Sequence, residues 1–61
     1  MSYCRFENTA NDLRDCVNAI RNGETDELNE YELEGLREIL HLAELIMDDK
    51  DFINEIIEDY E

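Results

Sequence analysis

Proline is absent from this chain, glycine occurs only twice, and cations are scarce, with 5 Lys and Arg against 18 Asp and Glu. Without proline, no residue enforces a helix break by removing a backbone N–H. The one strong local break is Asn22-Gly23, followed by Glu-Thr-Asp-Glu. No apolar run approaches the length of a signal h-region or a membrane span. With an opening of Met-Ser-Tyr-Cys-Arg-Phe-Glu, the expected location is the cytosol. Two cysteines, Cys4 and Cys16, match no C-x-x-C zinc pair. In a reducing compartment they are expected to be partly buried thiols and not a disulfide.

Signs of catalysis are equally sparse. A nucleophile or base must be held beside an orienting group, and His41, Cys4 and Cys16 form no such set. His41 falls opposite the apolar arc of its helix, as a solvated histidine would. There is no Gly-rich phosphate loop, Walker sequence or G-x-S-x-G elbow. The acidic stretch Asp48-Asp49-Lys50-Asp51-Phe52-Ile53-Asn54-Glu55 fails the calcium-loop pattern in both registers: Ile53 or Lys50 occupies a ligand position, and the required glycine is missing. The chain is therefore expected to be no enzyme and to carry no metal or cofactor.

What the chain does have is helical periodicity. Its 61 residues make a single domain, 1–61, with a thin core, since so short a chain buries only about 60% of its unfolded surface. Thr9 and Asp12 approximate a capping box, and Ala10, Leu13, Cys16, Val17 and Ile20 recur at helical spacing up to Gly23. The first helix is placed at about 10–22. Asn29 and Glu32 form an N-cap pair, Leu28 and Leu33 a hydrophobic staple, and Glu30, Glu32 and Glu34 suit the positive helix end. The second helix is placed at about 30–47, with an apolar arc of Leu36, Ile39, Leu40, Leu42, Ala43, Ile46 and Met47, wide enough to meet more than one neighbour. Gly35, inside that arc, is read as allowing close backbone packing.

The third helix, about 50–60, carries Phe52, Ile53, Ile56, Ile57 and Tyr60 on one face. A break near 48–50 is favoured because Asp competes with helix interiors. One continuous helix stays open, since Ile39, Ile46, Ile53 and Tyr60 lie seven apart. The fold class is all-α: a small bundle of two to three helices, with Tyr3 and Phe6 as a lid over its end. Leu42, Leu45 or Tyr60 would otherwise stand in water, which favours a homodimer. Arg14 and Arg21, one heptad apart, are expected to pair with acids of a neighbouring helix, each pair worth under about 1 kcal/mol.

The formal net charge is −13, and its placement is uneven. Residues 1–23 balance Glu7, Asp12 and Asp15 against Arg5, Arg14 and Arg21, whereas residues 24–61 set fifteen acids against Arg37 and Lys50. Direct binding to nucleic acid or to an anionic membrane is excluded by repulsion. Solubility needs a net charge of only about 2–8 in a small domain, so the excess calls for another cause. Glu44, Asp48, Asp49, Asp51, Glu55, Glu58, Asp59 and Glu61 on rigid helices could present carboxylates to a basic groove that normally receives phosphates. Tyr31, Leu45 and Tyr60 would be apolar anchors.

The opening Met-Ser-Tyr-Cys-Arg-Phe-Glu-Asn-Thr, with Asp12-Leu13 and Asp15-Cys16, resembles the start of small uncharacterised proteins encoded by bacteriophages and prophages. The remainder is similar in style to acidic phage proteins that inhibit host defence, including anti-CRISPR proteins. The resemblance implies a phage accessory protein that inhibits a host nucleic-acid-handling complex, such as a nuclease or a CRISPR effector, by stoichiometric binding. The alternative is a structural or regulatory homodimer paired through Leu36, Leu40, Ala43 and Met47, its charge serving solubility alone.

Overall fold

A computed structural model describes residues 4–61. Three helices follow one another: α1 (Arg5–Arg21), α2 (Glu30–Asp48) and α3 (Lys50–Tyr60), with no strand among the described residues. The all-α class and the second and third helices stand as the periodicity places them.

The first helix differs. It begins at Arg5, five residues before the expected start, and Thr9 lies inside it. Cys4 is the N-cap residue and makes no side-chain cap bond. Between Arg5 and Thr9 nothing breaks a helix, so the helix runs past the Thr9–Asp12 box. Its C-terminus ends as Gly23 requires. Gly23 has φ 75°, its N–H donates to the Ile20 carbonyl at 3.2 Å, and the Glu24 N–H donates to the Ala19 carbonyl at 2.9 Å. This pair of bonds is a Schellman motif, and only glycine enters the left-handed region without strain.

At the start of α2 the Asn29 side chain accepts a bond from the Glu32 N–H at 2.9 Å, satisfying one of the helix's orphan donors. Asn29→Ala should therefore lower stability by about 1 kcal/mol, read as a downward shift of the thermal midpoint by circular dichroism. An unchanged midpoint would show that this cap contributes nothing.

The break between α2 and α3 is a single residue. Asp49 has φ −99° and ψ 12°, and its N–H is shared between the Leu45 and Ile46 carbonyls at 3.2 and 3.1 Å. The Ile53 N–H already returns to the Asp49 carbonyl at 2.9 Å. The position is the expected one, but the expected agent is not: the Asp49 side chain caps nothing.

Packing is unusually open. No two Cα atoms twelve or more residues apart lie within 8 Å among the described residues, and no described side chain is buried. Cys16, Ala19, Leu28, Leu36, Ile39 and Ile53 are half-buried. The thin core expected from length is in fact an open V between α1 and α2. Phe6 is 84% exposed, so it covers no bundle end, and Tyr3 lies outside the described residues. A Cβ built at Gly35 meets nothing within 4 Å, which corrects the close-packing reading: no neighbouring backbone approaches it. Gly35 lines the groove between α1 and α2, so in the isolated chain Gly35→Ala should gain about 1 kcal/mol through helix propensity, read as a higher melting temperature at dilute concentration. A lower one would show that the added Cβ meets the groove's own walls.

Candidate functional site

The acids singled out from the sequence all lie on α2, α3 and their junction, and all are exposed: Glu44 and Asp48 on α2, Asp49 at the break, and Asp51, Glu55, Glu58 and Asp59 on α3. At 100° per residue, Glu44 and Asp48 share one side of α2 with Glu30, Glu34 and Glu38. The acidic side thus runs the length of α2, further toward its N-terminus than the sequence reading carried it. On α3 the acids take an arc of roughly 100°, from Glu58 through Asp51 and Glu55 to Asp59. The hydrophobic side chains of α3 occupy the opposite arc.

Some of these carboxylates sit where local electrostatics disfavours them, while Asp48, Asp49 and Asp51 lie at the favourable positive end of α3. The last turns of α2 and α3 contain no basic residue, although cations are preferred at the negative end of the helix dipole. Asp51, Glu55 and Asp59 also repeat at i, i+4, where like charges repel by about 0.2–0.5 kcal/mol per pair. The run from Glu44 to Asp59 spans the break at Asp49, so it divides into Glu44 and Asp48 at the end of α2 and Asp51, Glu55, Glu58 and Asp59 over about 12 Å of α3. Arg37 binds Glu34 within its own helix, and among the described residues this is the only ion pair.

The apolar candidates separate into two groups. Leu36, Leu40, Ala43 and Met47 form a stripe about 60° wide on α2. Tyr31 and Leu45 stand on the other side, among the carboxylates. Tyr31 and Tyr60 are 87% and 90% exposed, and Leu40, Leu45 and Met47 are also exposed, while Leu36 is half-buried. Tyr31 and Leu45, projecting from the charged side of α2, have the arrangement expected of interface anchors, whereas Tyr60 belongs to the apolar arc of α3.

A feature that sequence reasoning missed is the groove between α1 and α2. It is walled by Cys16, Ala19 and Ile20 on one side and by Leu28, Leu36 and Ile39 on the other. Ala19 falls on the α2 side of α1, and only the return of the chain through residues 22–29 reveals it. Arg14 donates to Asn11 of its own helix at 3.1 Å. Among the described residues neither Arg14 nor Arg21 pairs with a carboxylate of another helix, which corrects that expectation. Cys4 and Cys16 are thiols. Twelve residues apart on one helical path, they lie about 18 Å from each other, far beyond disulfide reach. Cys16 is half-buried as expected, but Cys4 is exposed.

Among the described residues, no group of three or more His, Cys, Asp or Glu side chains is placed to hold a metal ion, and no helix is long and apolar enough to cross a membrane. His41 is exposed. No protein-family model matches the chain, and no curated protein or solved structure matches it.

Proposed function

We propose that this chain is a non-catalytic binding protein whose acidic α2–α3 surface occupies a basic, nucleic-acid-binding groove on a protein partner. The observation that carries this reading is the run of seven exposed carboxylates from Glu44 to Asp59 across the α2–α3 junction, interrupted by one cation, Lys50. Asp51, Glu55 and Asp59 stand in repelling i, i+4 pairs, and no cation sits in the last turn of either helix, which favours selection for a partner over selection for solubility. Charge steers the encounter, and Tyr31 and Leu45, which stand among the carboxylates of α2, supply the desolvated contacts that fix it.

The resemblance of the opening segment to phage-encoded proteins supports the corresponding biological role. In that role the protein acts in the host bacterial cytoplasm as an accessory inhibitor of a nuclease, a CRISPR effector or a similar defence complex, in the manner of an anti-CRISPR DNA mimic. It binds no nucleic acid itself.

Affinity capture by the tagged protein from bacterial lysate, at low and high salt and with identification by mass spectrometry, tests this reading. The expected result is enrichment of a nucleic-acid-binding complex at low salt, lost when competitor duplex DNA is added. Capture that competitor DNA leaves untouched would contradict it.

A further inference from the structure

The geometry points to a second copy of this chain as the occupant of the α1–α2 groove, with α3 of each protomer seated in the groove of the other. A compact chain of 7.3 kDa exposes about 4,200 Å², whereas this one exposes 6059 Å². Its radius of gyration is 14.3 Å, against about 10.5 Å for a compact 61-residue domain. The excess, about 1,900 Å² per chain, amounts to roughly 3,800 Å² when two copies cover each other, within the range of permanent homodimers.

Shape and charge select the inserted element. On the hydrophobic face of α3, Phe52, Ile56, Ile57 and Tyr60 are exposed and only Ile53 is half-buried, because among the described residues α3 leaves the end of α2 and its backbone does not come within 8 Å of α1. The α3 helix is about 16 Å long, and the groove wall on α2 from Glu32 to Ile39 is about 10 Å, so two of the three turns of α3 can seat against it. Residues 1–23 carry no net charge, so the groove is walled on one side by the part of the chain that repels an acidic helix least. A reciprocal exchange is self-complementary, as a two-fold interface requires. It leaves Glu44, Asp48, Asp49, Asp51 and Glu58 outward. The inference does not rest on the partner-binding reading, and its test contains no partner protein.

Sedimentation equilibrium of the full chain should give twice the monomer mass. In a Cys4→Ser background, Ile56→Cys places a thiol on α3 opposite the groove thiol of Cys16, and mild oxidation should yield a covalent dimer on a non-reducing gel. Should Ile56→Cys disturb folding, Phe52→Ser serves instead, since Phe52 is 63% exposed within the single chain. It should raise the dimer dissociation constant about 10-fold or more. A monomer at about 100 µM, a cross-link that closes within one chain, or a dimer indifferent to both the thiol pair and Phe52→Ser would each overturn the proposal.

Discussion

Replacing Asp51, Glu55 and Glu58 together with lysine should slow association with the captured basic partner by at least about 10-fold at low salt, since steering by complementary charge accelerates encounter by roughly 10–1,000-fold. The three reversals change the net charge from −13 to −7, each adding two positive units. They act at the densest part of the acidic surface and touch no half-buried residue. The same acids replaced by Asn and Gln should give an intermediate rate, and the difference between all three proteins should shrink at high salt as screening shortens the reach of the field. Equal rates for the three proteins at low salt, measured by stopped flow or surface-based kinetics, would remove charge from the binding mechanism.

The second large effect concerns the groove. Leu36 and Ile39 are two of the six half-buried side chains, and both wall the α1–α2 cleft. Truncating a buried Leu or Ile to Ala costs about 2–5 kcal/mol, and half-burial reduces that to about 1–2 kcal/mol each. A chain of this size has only about 3–9 kcal/mol of total stability. Leu36→Ala with Ile39→Ala should therefore lower the melting temperature by about 15 °C or more and broaden the helical transition. Leu45→Ala, on the charged side of the same helix and 46% exposed, should shift it by only a few degrees. If Leu45→Ala destabilised as much as the pair, the cleft would not be where the fold derives its hydrophobic stabilisation.

The features legible in the sequence are those fixed by local hydrogen bonding. Asn29 caps α2, and Gly23 ends α1, because each acts on backbone groups within a few residues of itself. Asp49 was legible as a position but not as a mechanism, since the break comes from shared carbonyls and not from its side chain. The start of α1 was misplaced because Thr9 and Asp12 offer a capping box, while Arg5–Thr9 contains nothing that stops a helix from extending.

Gly35 illustrates the limit of pattern reading. The sequence shows that a Cβ is missing, but only coordinates show that no backbone fills the space. The acidic surface was legible as composition, as position along α3 and, through the 100° step, as the side of α2 that carries Glu30, Glu34 and Glu38. The groove involving Ala19 was not legible at all. It depends on how residues 22–29 return the chain, and no periodicity within a single helix encodes that.

The measurement that tests the central claim most directly is competition. Labelled duplex DNA is bound to the captured partner, the protein is titrated in, and fluorescence anisotropy reports the DNA released. Mimicry of nucleic acid predicts stoichiometric displacement of the DNA by the wild-type chain and none by the Asp51→Lys, Glu55→Lys, Glu58→Lys variant. A stable ternary complex, in which partner, DNA and protein remain together, would contradict it.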